Sequence, residues 1–182
     1  GSRPKNAKDV VLFGFGRIGR LLARELIAQE GSGRQLRLRA VAVRSVDAAS
    51  LHKRASLLKI DSVHGAFPGT VLVDEENLAL IVNGRPVHFI ATPDPTEADY
   101  TTYGIHDALL IDNSGAFRDK ESLGKHLQGK GIDKVLLTAP GNGIKNIVHG
   151  VNHNVEDAAA DKIISARSEE RRVGKECRSR WS

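Results

Sequence analysis

The sequence predicts an α/β fold with a mainly parallel sheet, and three observations support this prediction. Segments with the spacing of strands alternate with segments with the spacing of helices, as repeated βαβ units require. A glycine-rich turn joins the first predicted strand to the first predicted helix. Two later strand-like segments flank Asn83-Gly84, a strong hairpin signal, which predicts a small antiparallel insert in the sheet.

The first half of the chain supplies two predicted strands and two predicted helices. An apolar run from Val10 to Phe13 predicts the first strand, and "LRLRAVAV" predicts the second, which becomes fully apolar as a buried parallel strand does. The helix between them has an apolar face at helical spacing, formed by Ile18, Leu21, Leu22, Leu26 and Ile27. Residues 47–59 predict the second helix, with Asp47 as its N-cap.

The second half continues this alternation after a loop, "IDSVHGAFPG". Strands are predicted at "GTVLVD", "LALIV" and "RPVHFIA", followed by a loop or short helix at "DPTEADYTTYG". The segments "DALLIDNSG" and "DKVLLTAPGNG" predict strands on either side of a helix at "RDKESLGKHLQGKG". Two further short strands are predicted at "NIVHGVN" and "DKIIS".

The segment "GFGRIG" predicts a dinucleotide site, because its G-x-G-x-x-G pattern follows a strand and opens a helix. Gly14 permits the tight turn, Gly16 lets the backbone approach a pyrophosphate, and Gly19 lets the helix lie close to the strand. Amides at the helix N-terminus then face the anion. The fold is therefore predicted to be Rossmann-type and doubly wound, with a cofactor-binding segment formed by Gly14, Phe15, Gly16, Arg17, Ile18 and Gly19.

The end of the second strand leaves the choice between NAD and NADP open. An acid that bonds the ribose hydroxyls is expected there, but Arg44 and Ser45 occupy the position and the nearest acid is Asp47. A cation and a hydroxyl would suit a 2′-phosphate, whereas a solvated Arg44 would leave NAD equally acceptable. Ser114 and Gly115 follow one later strand and Thr138 follows another, so these residues are predicted to share the same ligand site.

Composition and charge argue against several other classes of protein. The net charge is +5, but six basic and three acidic residues lie in 167–182, which leaves 21 basic and 19 acidic residues in 1–166. No aromatic-interleaved basic stripe accompanies them, so nucleic-acid binding is not predicted. His149 and His153 lack acidic or thiol partners, so no metal site is predicted. No segment predicts a membrane span or a signal peptide, and a cytoplasmic location is the default expectation.

Ordered motifs along the chain resemble the NAD-binding half of glyceraldehyde-3-phosphate dehydrogenase from about Lys8 to Ala166. These motifs are "GFGRIGR", "DSVHGAFPGTV", "VNGRPV", "DNSGAF", "TAPGNG", "HGVNH" and "KIIS". The resemblance implies pyrophosphate contacts from the amides of Arg17 and Ile18. Ser45 stands where the family has a ribose-binding aspartate, and Pro93 stands where an arginine is usual. The resemblance also places Ser114, Gly115 and Phe117 along the nicotinamide-side wall and Thr138 beside the cofactor.

The resemblance further implies phosphorylating oxidation of glyceraldehyde 3-phosphate, a glycolytic reaction, by a homo-oligomer, a tetramer in the family. In that chemistry a cysteine thiolate attacks the aldehyde, a histidine acts as base, hydride passes to the nicotinamide, and phosphate releases the acyl group. The family's cysteine follows "KIIS" within a few residues, whereas Cys177 lies about ten residues too late and lacks that context. No residue of this chain is therefore assigned a catalytic role. The alternatives are a related dehydrogenase acting on erythrose 4-phosphate and a dinucleotide-binding module without catalysis.

The chain is expected to divide into three segments. Residues 1–8 are expected to be a linker, residues 9–166 the dinucleotide-binding domain, and a catalytic domain is expected beyond it. Apolar periodicity stops at about Arg167, and residues 167–182 resemble translated sequencing adapter. A genuine basic tail that binds an acidic partner is the alternative for this segment.

Overall fold

A computed structural model describes residues 8–30, 36–61, 65–116, 119–138 and 163–165. Its main sheet has eight strands in the order β10-β9-β8-β1-β2-β7-β6-β5. The strands are β1 Lys8–Phe13, β2 Leu36–Val43, β3 Ile60–Asp61, β4 Gly65–Ala66, β5 Val71–Asp74, β6 Ala79–Val82, β7 Arg85–Ala91, β8 Ala108–Asp112, β9 Ile132–Leu137 and β10 Ile163–Ser165. The helices are α1 Arg17–Glu30, α2 Ala48–Lys59 and α3 Lys120–Gln128, with short 3-10 turns at Pro95–Glu97 and Thr101–Tyr103.

The six strands from β10 to β7 in this order are parallel, as the alternation of strands and helices predicts. The central strand β1 lies between β2 and β8, so successive units of the chain extend the sheet in opposite directions from it. A sheet with this strand order is doubly wound, and its switch point lies between β1 and β8.

Two hydrophobic clusters cover the two faces of the sheet. Alternate residues of β1 point to opposite faces, so Val10 and Leu12 belong to one cluster and Val11 belongs to the other. Helices α1 and α2 pack on the first face through Leu22, Leu26, Leu51, Ala55 and Leu58. Helix α3 packs on the second face, where Leu123 joins Tyr100, Ile105 and Leu110. Coverage of both faces explains why the central strands are almost continuously apolar.

The antiparallel insert is continuous with the main sheet. Strand β7 pairs parallel with β2 on one side and antiparallel with β6 on the other, and β5 then pairs with β6. Asn83 and Gly84 have φ angles of 51° and 81°, as the turn of a two-residue hairpin requires. The predicted loop "IDSVHGAFPG" contains the two-residue strands β3 and β4, which form a separate antiparallel pair.

Local signals correctly predicted the second helix, and one predicted boundary was off by a residue. Asp47 caps α2 in a reciprocal capping box with Ser50, where each residue's side chain accepts from the other's backbone amide.

The linker was expected to extend through residue 8, but Lys8 is already part of β1. It pairs with Leu36, and its Nζ lies 3.2 Å from Asp133 Oδ2 on β9.

Several predictions concern residues outside the described part of the chain. These are the strand at "NIVHGVN", the linker residues 1–7, the segment 167–182 and the site residue Phe117. Within the described ranges, no helix is long and apolar enough to cross a membrane. The same ranges contain no group of three or more His, Cys, Asp or Glu residues arranged to hold a metal ion.

Candidate functional site

Backbone hydrogen bonds hold the carboxyl ends of neighbouring strands together at one edge of the sheet. The Gly14 amide donates to the Ala42 carbonyl at 2.9 Å, which ties the glycine turn after β1 to the end of β2. The Asn113 amide donates to the Phe13 carbonyl at 3.1 Å, and the Thr92 amide donates to Val43. These bonds fix the positions at which the segments after β8, β1, β2 and β7 leave the sheet, and all four segments leave it at the same edge.

The glycine turn connects β1 to α1, and the two elements approach each other so closely that a side chain does not fit between them. Gly14 has a φ of 104°, a conformation that other residues rarely adopt. A Cβ on Gly19 would lie 2.6 Å from the Gly14 carbonyl oxygen, so a side chain there would push α1 away from β1. Gly16 differs from both, because a Cβ on it would meet no atom within 4 Å. The absence of a side chain at Gly16 thus leaves open space beside the helix N-terminus.

The N-terminal end of α1 is electropositive. No acidic residue lies in its first turn, although acids are favoured there by the helix dipole. The turn instead contains Arg17, which is exposed, and Arg20, whose Nη1 donates to the Phe15 carbonyl at 3.2 Å. Backbone amides, the dipole and an exposed cation together favour an anion at this helix end.

A cleft of about 420 Å³ opens along this edge of the sheet, within the range of roughly 300–1,000 Å³ that is typical of small-molecule sites. Residues that end or follow four strands line it, namely 13–15 at the end of β1, 42–44 at the end of β2, 92–93 after β7, and 114 and 116 after β8. Arg54 of α2 completes the lining. The cleft therefore lies outside the carboxyl ends of the strands and beside the switch point, where ligands bind in open α/β sheets.

Ser114 is held at the cleft by the carboxylate of Asp112. Asp112 Oδ1 accepts from the Ser114 amide at 2.9 Å and from its hydroxyl at 2.8 Å. Asp112 Oδ2 lies 2.9 Å from Nε2 of His126 on α3, and both of these side chains are fully buried. The position of Ser114 is thus coupled to the packing of α3 against the sheet.

The predicted site residues fall into five groups. Gly14, Phe15, Arg44 and Ser114 line the cleft together. Gly16, Arg17, Ile18 and Gly19 form the adjoining N-terminal end of α1, while Ser45 and Gly115 are exposed next to lining residues. Thr138 follows β9 but does not line the cleft, because it is buried and its hydroxyl donates to the Asp112 carbonyl at 3.1 Å. Phe117 lies outside the described residues.

Sequence reasoning missed Arg54, Thr92 and the pair formed by Asp112 and His126. The sequence did contain a signal for Arg54. It lies four residues after Ser50 in the predicted helix, which places it on the same side of α2 as the capping box. Thr92 lacked such a signal. The contact between Asp112 and His126 joins β8 to α3 and depends on how that helix packs, so no local pattern predicts it.

The fold and the cleft define a dinucleotide-binding domain of the Rossmann type. A family model described as glyceraldehyde 3-phosphate dehydrogenase, NAD binding domain, matches residues 8–120. This match spans more than half of the chain, which therefore belongs to the glyceraldehyde 3-phosphate dehydrogenase family. The resemblance inferred from the ordered motifs is confirmed.

Curated relatives extend the similarity beyond residue 120. A glyceraldehyde-3-phosphate dehydrogenase-like protein of Pseudomonas aeruginosa (strain UCBPP-PA14) is 58% identical over 165 residues, which are 90% of this chain and 36% of that protein. The glyceraldehyde-3-phosphate dehydrogenase of Zymomonas mobilis is 35% identical over 161 residues, covering 87% of this chain and 44% of that protein. The corresponding protein of Streptococcus pyogenes is 36% identical over 158 residues, covering 86% and 44%. The chain thus spans less than half the length of these relatives.

Proposed function

We propose that the cleft binds NAD or NADP and that the chain is the dinucleotide-binding part of a phosphorylating glyceraldehyde-3-phosphate dehydrogenase. The observation that supports this most directly is the convergence of the glycine turn, the N-terminus of α1 and four strand ends on one cleft of about 420 Å³. Family membership and the similarity to relatives named as glyceraldehyde-3-phosphate dehydrogenases support the same conclusion.

The residues around the cleft fit a dinucleotide. The open space at Gly16 leaves room for a pyrophosphate to approach the backbone, and the amides of Arg17 and Ile18 at the start of α1 would hold it. Arg44 and Ser45 would lie at the adenosine ribose. Ser114, Gly115 and Phe117 would belong to the nicotinamide side, while Thr138 is buried and would support the end of β8 through its bond to the Asp112 carbonyl. The cofactor supplies hydride transfer when it is bound, while the residues of this chain bind and orient it.

Gly16→Ala provides a test that separates binding from folding. The added methyl group meets no protein atom within 4 Å but occupies the space proposed for the pyrophosphate. We expect the affinity for NAD and NADP to fall by roughly tenfold or more, a change of about 1.4 kcal/mol or more. Isothermal titration measures the affinity, and circular dichroism checks that the thermal transition is retained.

Gly124→Ala is the matched control. Gly124 lies within α3 and is not among the residues that line the cleft, and an added Cβ there also meets nothing within 4 Å. It should leave cofactor affinity unchanged and stabilise the helix slightly. Absence of NAD and NADP binding by the unaltered 182-residue chain would refute the proposed function. Equal binding by the chain and by Gly16→Ala would refute the proposed position of the pyrophosphate.

The activity proposed for the whole protein is oxidation of glyceraldehyde 3-phosphate with phosphate as acyl acceptor. We assign residues 8–166 to the cofactor-binding domain and propose that residues 167–182 do not contribute, so their deletion should leave the affinity unchanged. A protein that joins this domain to a catalytic part should reduce NAD or NADP when glyceraldehyde 3-phosphate and inorganic phosphate are both present. Faster turnover of erythrose 4-phosphate in the same assay would contradict the assigned substrate.

A further inference from the structure

Two arginines give one wall of the cleft a strong positive charge. Of the described residues that line the cleft, Arg44 and Arg54 are the only charged ones. Neither forms an ion pair with a carboxylate among the described residues, although other arginine and lysine side chains of the chain do. Arg44 follows β2, which lies on the other side of β1 from β8, the strand that precedes Ser114, and Arg54 lies on α2.

The guanidinium of Arg54 is held in place before any ligand binds. Its Nη1 donates to Ser50 Oγ at 3.2 Å, and its central carbon lies 6.0 Å from the centroid of the Phe89 ring. The side chain is half-buried, and partial burial lowers the pKa of Arg54 from its ordinary value, an effect that the charge of Asp47 opposes. An ordered cation that is partly withdrawn from water binds an anion more strongly than a solvated one.

The nearby acid Asp47 is engaged elsewhere. Its Oδ1 accepts from the Ser50 amide at 2.7 Å in the capping box of α2, and it does not line the cleft. Pro93, which does line the cleft, offers neither charge nor an amide hydrogen. Among the described lining residues, the wall around Arg44 and Arg54 therefore presents cations but no carboxylate that could bond the hydroxyls of an unmodified ribose.

We propose that Arg54 is a specificity-determining residue that binds the 2′-phosphate of NADP together with Arg44. This inference rests on the proposed function, because it assumes that a dinucleotide occupies the cleft. The guanidinium of Arg54 donates hydrogen bonds to the phosphate oxygens, and Arg44 adds a second positive charge. NAD has a hydroxyl at the same position, so it leaves both cations without an anion, and the chain binds NADP more tightly.

Arg54→Gln tests this inference in the 182-residue chain by titration with NADP and with NAD. The unaltered chain should bind NADP more tightly than NAD. The substitution should weaken NADP binding by roughly 10- to 100-fold, as loss of a charge-assisted hydrogen bond does, and should leave NAD binding almost unchanged. Lys53→Gln is the matched control, because it removes the same charge from the adjacent exposed position of α2, outside the cleft lining.

The possible outcomes separate this inference from the proposed function. Equal losses for NADP and NAD on Arg54→Gln, or tighter binding of NAD by the unaltered chain, would overturn the inference and leave the proposed function intact. Absence of binding by either cofactor would overturn both. If Arg54→Gln does not fold, Arg54→Lys decides, since lysine retains the charge but not the paired donors. A loss confined to NADP supports the inference, and unchanged NADP affinity overturns it.

Discussion

The buried side chains of Asp112 and His126 connect the cleft to helix α3, which packs on the second face of the sheet. Asp112 Oδ2 lies 2.9 Å from His126 Nε2, and neither side chain has any exposed area. The His126 ring also packs edge-on against Phe13, with centroids 4.5 Å apart, and Phe13 is one of the residues that line the cleft. Helix α3 therefore supports two cleft residues, Phe13 directly and Ser114 through Asp112.

Replacement of Asp112 by alanine should destabilise the domain and loosen the cleft at Ser114. The change removes the acceptor of the Ser114 amide, the Ser114 hydroxyl and His126 Nε2. We expect a loss of several kcal/mol in the free energy of unfolding, because the buried His126 Nε2 loses its bond to the carboxylate, at a cost of about 1–3 kcal/mol, and the Ser114 amide and hydroxyl lose theirs as well. Ser114→Ala removes only one of these bonds, at an exposed residue, and should cost about 1 kcal/mol or less. Urea denaturation measures both, and equal costs would contradict this coupling.

The elements that the sequence predicted most accurately are those determined by local interactions. Asp47 was predicted as an N-cap, and its capping box with Ser50 involves residues only three apart. The turn at Asn83 and Gly84 was predicted because few residue pairs tolerate two successive positive φ angles. The glycine turn belongs to the same class, since the φ of Gly14 and the packing at Gly19 follow from the turn itself.

The alternation of strands and helices predicted a mainly parallel sheet, but several particular contacts between distant segments were not predicted from the sequence. Strand β7 was assigned to the small antiparallel insert, and its parallel pairing with β2 was not predicted, because this pairing joins residues such as Phe89 and Val41, which are 48 positions apart. Strands β3 and β4 were not predicted because two residues are too few to show the alternation of apolar and polar residues that identifies a strand. Arg54 was overlooked as a cleft residue because its relation to Arg44 depends on how α2 packs beside the end of β2.

The helix-capping aspartates should give the domain an acid-sensitive component of stability. Hydrogen bonds from the Ser50 amide and hydroxyl hold the pKa of Asp47 below its ordinary value of 3.8, and bonds from the Ser122 hydroxyl and amide do the same for the pKa of Asp119. Because these pKa values are lowered in the folded state, the contribution is present above the ordinary value and is lost as the pH falls through the lower one.

The variant with both Asp47→Asn and Asp119→Asn tests this acid dependence. Asparagine can still accept the capping hydrogen bonds but does not titrate, so the melting temperature should fall less steeply below about pH 4 than in the unaltered chain. Asp107→Asn is the control, because Asp107 is exposed and caps no helix or turn among the described residues. If the melting temperature of the double variant fell as steeply in acid as that of the unaltered chain, the capping aspartates would not be the source of the acid sensitivity.

Tyr100 should make the domain sensitive to alkaline pH. Its side chain is 1% exposed, and burial raises the pKa of Tyr100 to about 12 from 10.0, while the Thr92 hydroxyl acts in the opposite direction. The folded state thus retains a proton that the unfolded chain releases, so the stabilisation is fully present below about pH 10 and is lost as the pH rises towards 12. A shift of this size corresponds to about 3 kcal/mol in the free energy of unfolding.

Tyr100→Phe should remove this alkaline loss, whereas Tyr103→Phe, at the other tyrosine, should retain it. Denaturant midpoints measured at neutral pH and above pH 10 distinguish the two, and parallel alkaline losses in both variants would contradict the assignment to Tyr100.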